Sequence, residues 1–80
     1  MQTIKTIDSF FYKKLGENIR SLREHKGMTQ KELAKELGIS RPLLVNYEYG
    51  YTKIKHKYWQ RICNALEISP DFDVDVNVRR

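Results

Sequence analysis

Residues 29–50 read TQKELAKELGISRPLLVNYEYG, and this stretch decides the fold. Thr29 and Glu32 have the spacing of a capping box, in which the threonine hydroxyl accepts a hydrogen bond from the glutamate amide while the carboxylate accepts one from the threonine amide. A helix is therefore predicted to begin directly after Thr29. Gly38 is expected to end it after about two turns, which is too short for a helix that stands alone in water, so it must pack against other elements.

A second short helix is predicted immediately after Gly38. Ser40 is a favoured N-cap, and Pro42 falls in the first turn, where its missing amide hydrogen costs nothing. Gly50 supplies the residue that ends this helix. Two short helices joined by so brief a turn are typical of a helix-turn-helix, in which the first helix crosses the sugar-phosphate backbone of DNA and the second enters the major groove.

Two further helices are predicted on either side of this pair. Over residues 9–26, apolar residues recur at helical spacing and predict one buried stripe, and Gly27 ends the helix. The stripe consists of Phe11, Leu15, Ile19 and Leu22. A fourth helix has its apolar side at Tyr58, Ile62, Ala65 and Leu66 and closes near residues 68–70. The sequence therefore predicts an all-α fold of four to five helices around one core.

The two ends of the chain carry a different pattern. Residues 1–8 are predicted to be an N-terminal arm, residues 9–69 the helical domain, and residues 70–80 a C-terminal strand or tail. Phe72, Val74, Val76 and Val78 alternate with polar residues, which is the period of a β-strand. Because a lone strand is not stable, pairing with a second chain as a dimerisation arm is the preferred hypothesis. Pairing with the β-branched residues 3–7 and a loose tail stay open as alternatives.

Composition restricts the class of partner. The 80 residues include 15 Lys and Arg against 10 Asp and Glu, for a formal charge of +5. A basic balance of this kind points to a polyanionic partner. With 40% hydrophobic residues, the chain has the composition of a folded module rather than of a disordered basic tail.

Other functions are excluded by what the composition lacks. Cys63 is the single cysteine, so no internal disulfide is expected, and neither histidine lies in a cluster with metal-ligand spacing, so no metal or other cofactor is expected. No spacing places a nucleophile beside a base, and the chain offers no second lobe to enclose a small-molecule ligand, so it is not expected to be an enzyme. The longest apolar run, residues 43–45, is far too short for the membrane, and a cytoplasmic location is expected.

Residues 15–69 resemble the lambda-repressor-like, Cro/Xre-type helix-turn-helix family of phage and bacterial regulators. Four segments carry the resemblance: LGENIRSLREHKGMTQ at 15–30, KELAKELGIS at 31–40, NYEYG at 46–50 and ALEIS at 65–69. Members of this family are DNA-binding domains of four or five helices, usually dimeric, that repress or activate transcription at palindromic operators. The resemblance implies double-stranded DNA and a second copy of the chain as partners, with residues 40–49 as the recognition helix.

The resemblance also places the base-reading positions. These are Arg41, Pro42, Leu43, Val45 and Asn46. Arginine binds guanine O6 and N7 as a fork, asparagine binds adenine N6 and N7, and aliphatic side chains contact thymine methyl groups. The family usually has small polar residues at positions 42 and 43. Since neither side chain here donates a hydrogen bond, anchoring is expected to shift to backbone amides and to the loop that follows.

Phosphate contacts and one structural pair complete the expected site. The phosphate-binding residues are Gln30, Tyr49, Tyr51, Lys53, Lys55, His56 and Lys57. In the family, the glutamine at the first position of helix 2 bonds a phosphate and braces the first base-reading side chain. Residues 51–61 contain four cations and no acidic residue, which favours contact with the DNA backbone. Arg23 and Glu48 match a buried ion pair that ties the first helix to the third.

Two other functions stay open beside DNA-dependent regulation. An antitoxin or phage-control protein would use an uncovered strand at residues 72–78 to capture a protein partner by strand addition, and this role is compatible with DNA binding. A non-specific nucleic-acid packing protein would need charge without base-reading residues, and Arg41 and Asn46 argue against it.

Overall fold

A computed structural model describes residues 6–68 of the chain, with side chains from residue 9 onward. Over this range the chain forms only helices, so the prediction of an all-α fold is confirmed. The helices are α1 (Thr6–His25), α2 (Gln30–Leu37), α3 (Arg41–Tyr49) and α4 (His56–Leu66). The expected C-terminal strand at residues 72–78 lies outside the described residues. None of the four helices combines the length and apolar character of a membrane span.

The predicted signals at the ends of α2 and α3 act as expected. Thr29 Oγ1 accepts from the Glu32 amide at 3.0 Å, and Glu32 Oε1 accepts from the Thr29 amide at 2.9 Å, so both halves of the capping box are made. Ser40 Oγ accepts from the Leu43 amide at 3.2 Å and starts α3. Between the two helices, Gly38 has a φ of 72°, a left-handed conformation that glycine adopts without steric cost. The turn that orients α3 on α2 is thus fixed by local chemistry.

Helix α1 departs from the expectation at its start. It begins at Thr6 and not near residue 9, so the last residues of the predicted N-terminal arm are helical. No glycine or proline interrupts residues 6–9, and nothing there stops the helix from extending. The proposed pairing of residues 3–7 with a C-terminal strand is therefore wrong for Thr6 and Ile7.

The buried stripe of α1 also differs from the expected one. Leu15 and Ile19 are buried, but Leu22 is 36% exposed while the neighbouring Arg23 is only 7% exposed. Arg23 occupies the inward position because a carboxylate on α3 lies there to receive it. Helical periodicity predicts that Leu22 lies in the core, but the ion pair draws Arg23 inward and leaves Leu22 at the surface.

A single core joins all four helices. Its buried members are Leu15, Ile19, Leu33, Ala34, Leu37, Leu44, Tyr47, Ile62 and Leu66.

Helix α4 ends at Leu66, slightly before the expected position, because Glu67 takes a left-handed φ of 60°. Lys26 Nζ lies 3.4 Å from the Glu67 carboxylate and ties the end of α1 to the end of α4.

Two glycines bring the backbones of α1 and α3 together. A Cβ atom at Gly16 would overlap the carbonyl oxygens of Tyr47 and Glu48, and one at Gly50 would lie 2.5 Å from the Lys13 Cα atom. At both positions the added Cβ atom would lie closer to backbone atoms than real Cβ atoms do, so only glycine permits the two helices to approach this closely. This contact places the carboxyl end of α3 directly against the amino-terminal half of α1.

Candidate DNA interface

Helix α3 divides into an inward face and an outward edge. Leu44, Tyr47 and Glu48 are buried. Burial raises the pKa of the Tyr47 phenol above its ordinary value of about 10. A hydrogen bond with the Lys55 backbone lowers this pKa, but its effect is smaller than that of burial. Tyr47 is therefore neutral at physiological pH. The opposite side of the helix, which we call the outward edge, carries the exposed residues Arg41, Pro42, Asn46 and Tyr49. A ligand can reach α3 on this edge.

The predicted base-reading residues do not all lie on that edge. Arg41, Pro42 and Asn46 are exposed, whereas Leu43 and Val45 are half-buried. Leu43 in particular packs against the core, because it borders the buried stripe formed by Leu44 and Tyr47. The structure therefore leaves both polar reading residues exposed and turns Leu43 partly inward.

The ion pair between α1 and α3 anchors this edge from within. Arg23 Nε donates to Glu48 Oε2 at 2.7 Å, and Arg23 Nη2 donates to Glu48 Oε1 at 3.3 Å. A third donor, Arg23 Nη1, reaches the Met28 carbonyl at 2.8 Å. Glu48 is completely buried. The pair expected from the resemblance is thus present, with the forked geometry that charge-assisted hydrogen bonds favour.

Gln30 links this ion pair to Arg41 through two hydrogen bonds. Gln30 Nε2 donates to Glu48 Oε1 at 3.1 Å, and Gln30 Oε1 accepts from Arg41 Nε at 3.2 Å. The two neighbours fix the orientation of the amide independently, since a carboxylate requires the NH2 group and a guanidinium requires the carbonyl. A chain of hydrogen bonds therefore runs from the core, through the start of α2, to the exposed Arg41.

This arrangement determines what Arg41 offers to a ligand. Its Nε atom is committed to Gln30, so the side chain is held in one orientation while its two terminal nitrogens stay available. A side chain already held in its binding geometry loses less conformational entropy when it binds. Gln30 keeps its second amide hydrogen for another acceptor, which matches the bracing and phosphate-bonding roles that the resemblance implies.

The segment between α3 and α4 forms a basic border beside this edge. Its exposed residues are Tyr51, Lys53, Lys55, His56 and Lys57. Helix α4 begins here with no side-chain cap and no acidic residue in its first turn. The positive end of its dipole adds to the lysine charges, so the border attracts anions. The structure brings all predicted phosphate-binding residues except Gln30 to this border and the adjoining end of α3.

Sequence reasoning missed Arg20. Its guanidinium carbon lies 5.5 Å from the centre of the Tyr49 ring, and Tyr49 in turn stacks on Tyr51 with ring centres 5.8 Å apart. Arg20 and Tyr49 are separated by 29 residues, so no local pattern reveals the contact. The helical wheel of α1 places Arg20 on the same side as Gly16, but only the structure shows that this side lies against α3.

Residues 19–72 match a family model described as helix-turn-helix, which covers more than half of the chain. The chain belongs to the helix-turn-helix family. The resemblance to Cro-type helix-turn-helix regulators is confirmed, and the matched range contains α2, the turn and α3. Helix-turn-helix proteins of this family are DNA-binding transcriptional regulators.

Individual relatives agree with the helix-turn-helix assignment. The chain is 38% identical over 56 residues to the uncharacterized HTH-type transcriptional regulator YqaE of Bacillus subtilis (strain 168), covering 70% of this chain and 48% of YqaE. It is 38% identical over 55 residues to antitoxin PezA of Streptococcus pneumoniae serotype 4, covering 69% of this chain and 35% of PezA. The chain thus spans about half of the length of YqaE and about a third of PezA.

A solved structure shows the same helix-turn-helix architecture. The crystal structure of the clp gene regulator ClgR from C. glutamicum superposes with a TM-score of 0.71 at 30% identity. The match covers 80% of this chain and 83% of the ClgR chain. The helical arrangement described above is therefore that of a transcriptional regulator.

Proposed function

We propose that this chain represses transcription by binding, as a homodimer, to a two-fold symmetric operator with α3 in the major groove. The observation that carries the proposal is the braced position of Arg41. An exposed arginine at the start of the recognition helix is held by Gln30, which is itself held by the buried Glu48. A chain that bound DNA only through its charge would have no need to orient one side chain so closely.

The contacts follow from the chemistry of the exposed edge. The terminal nitrogens of Arg41 form a fork for guanine O6 and N7, and the Asn46 amide pairs with adenine N6 and N7. Pro42 and the exposed part of Val45 contact thymine methyl groups. Lysines of the basic border and the second amide hydrogen of Gln30 bind phosphates, which sets the depth of α3 in the groove.

The homodimer follows from the geometry of helix-turn-helix recognition. Two copies of the chain read two half-sites whose centres lie about 34 Å apart, or a multiple of that distance, so that both recognition helices face the same side of the duplex. Occupation of such a site within a promoter blocks access of the polymerase, which is the simplest mechanism of repression.

The proposal predicts a specific effect of Arg41→Ala. On an operator selected from random duplexes, the wild-type chain is expected to bind at least ~10³ times more tightly than to scrambled DNA, as two chains per site. Arg41→Ala should lose about 1 to 3 kcal/mol of binding free energy on the operator and relax the base preference at one position of each half-site. Fluorescence anisotropy at fixed salt, with selection repeated on the variant, measures both effects.

Lys55→Ala provides the matched control for Arg41→Ala. Lys55 is exposed in the basic border, and its loss should weaken binding to operator and scrambled DNA by the same factor. The slope of log K against log salt should flatten by about 0.9. Equal losses on both duplexes for Arg41→Ala would contradict its reading role, and a wild-type chain with no preference for any duplex would refute sequence-specific regulation.

A second function is favoured by the similarity to antitoxin PezA. Under this proposal the chain binds a protein as well as DNA, and the partner is the product of a neighbouring gene. Co-expression of the chain with each adjacent open reading frame, followed by size-exclusion chromatography, is expected to give one stoichiometric complex that still binds the operator. Elution of the chain apart from every neighbouring product would reject the antitoxin role and leave the repressor role intact.

A further inference from the structure

Arg20 extends the outward edge of α3 onto α1. The stripe of α3 that carries Asn46 continues to Tyr49, three residues later and thus on the same side of the helix. Arg20 lies over one face of the Tyr49 ring at 5.5 Å, and Tyr51 stacks on the same ring at 5.8 Å with the planes 30° apart. A cation and two phenol rings therefore form one stack at the carboxyl end of the recognition helix.

The backbone contact between α1 and α3 explains why this stack exists. Gly50 lies against the main chain of Lys13, with a left-handed φ of 72° that turns the chain away from α3. Lys13 and Arg20 are seven residues apart, close to two helical turns, so they share one side of α1. The close approach at Gly50 thus brings that side of α1, with Arg20, alongside Tyr49.

The guanidinium of Arg20 is uncommitted over the described part of the chain. Among residues 9–68 it has no hydrogen bond or ion pair, and the ring of Tyr49 holds only its flat face. The acidic residues one turn away on α1 are paired with other cations: Glu17 lies 3.7 Å from Lys14, and Glu24 lies 3.7 Å from Arg23. The planar fork of N–H donors in Arg20 therefore lies against the Tyr49 ring and has no acceptor among the described residues.

We propose that Arg20 binds a phosphate of the DNA backbone and that Tyr49 positions it for this contact. The inference rests on the proposed function, because it assigns α1 a place in the same interface. A forked guanidinium matches phosphate oxygens in two parallel hydrogen bonds, and stacking on an aromatic ring leaves that edge open. The contact carries no sequence information; it adds to the phosphate contacts of the basic border at the carboxyl end of α3 and helps to fix the register of Arg41.

The test compares Arg20→Ala with Lys14→Ala in the full chain, on operator and scrambled duplexes over a range of salt concentrations. Lys14 is exposed and lies about a third of the way around α1 from Arg20, so it changes the charge equally but faces elsewhere. Arg20→Ala should weaken binding to both duplexes roughly tenfold and flatten the slope of log K against log salt by about 0.9. Lys14→Ala should leave both quantities near the wild-type values.

Further variants at Arg20 and Tyr49 separate positioning and charge from folding. Arg20→Lys should keep the wild-type salt slope but lose affinity, because an ammonium retains the charge without the fork. Tyr49→Leu should weaken DNA binding more than Tyr49→Phe in the wild-type background, since only phenylalanine keeps the ring under Arg20. In the Arg20→Ala background the two Tyr49 variants should be equal. Circular dichroism melting identifies any variant that has lost its fold, in which case Arg20→Lys carries the test.

The outcomes distinguish this inference from the proposed function. If the wild-type chain prefers its operator but Arg20→Ala matches Lys14→Ala in affinity and salt slope, the phosphate contact is refuted and the repressor proposal stands. A loss confined to the operator would mean that Arg20 reads a base, which also overturns the assignment. A wild-type chain without any preference among duplexes removes the proposed function itself.

Discussion

Glu48→Ala is expected to lower the free energy of unfolding by about 3 to 5 kcal/mol. The carboxylate is completely buried, and it receives two hydrogen bonds from Arg23, which is 7% exposed. Without Glu48, the partners of the buried Arg23 guanidinium among the described residues are the Met28 carbonyl and the exposed carboxylate of Glu24. Because typical domains are stable by only about 5 to 15 kcal/mol, a loss of this size removes a large fraction of the total stability.

Urea denaturation followed by circular dichroism measures the effect. Arg23→Met combined with Glu48→Leu is the matched control, because it removes both charges and replaces them with apolar groups of similar volume. The double variant should lie much closer to the wild-type stability than Glu48→Ala, since replacing a whole buried pair is often neutral. If the free energy of unfolding of Glu48→Ala lies within about 1 kcal/mol of the wild-type value, water or other polar groups solvate Arg23. The ion pair would then not be what holds α3 on α1.

The same pair shows where sequence patterns succeed and where they stop. The ends of α2 and α3 were predictable because each cap joins atoms three residues apart, as between Thr29 and Glu32 or between Ser40 and Leu43. The exchange of Leu22 and Arg23 was not predictable from periodicity, which places apolar side chains inward whatever lies opposite. The partner of Arg23 stands 25 residues away, and only the resemblance to a known family suggested it.

The candidate site divides in the same way. The bracing of Arg41 by Gln30 was expected from the family, and the structure adds Glu48 as the group that holds Gln30. The half-buried state of Leu43 follows from its neighbours on the helix surface, and a helical wheel of α3 alone gives that answer. The stack of Arg20 on Tyr49 depends on how closely α1 approaches α3, and this distance is a tertiary property that two glycines set.

Gly16→Ala is the second substitution with a large expected effect: we expect it to destabilise the fold, whereas helix propensity alone predicts that it stabilises α1. In an isolated helix, alanine is better than glycine by about 1 kcal/mol, so a reading of α1 alone predicts stabilisation. In the folded chain the added methyl group would overlap the carbonyl oxygens of Tyr47 and Glu48. These are backbone atoms of a packed helix, which cannot rotate away as a side chain would. We therefore expect destabilisation at the upper end of the roughly 1 to 3 kcal/mol that overpacking costs.

The two effects are separated by measuring the same substitution in two contexts. In a peptide of residues 6–26, Gly16→Ala should raise the helix content seen by circular dichroism; in the full chain it should lower the urea midpoint. Gly27→Ala is the control for backbone strain, because φ at Gly27 is 74° but no atom lies within 4 Å of the added Cβ position, so its cost is conformational alone. If Gly16→Ala stabilises the full chain as well as the peptide, α1 does not approach α3 this closely in solution, and the placement of Arg20 beside Tyr49 falls with it.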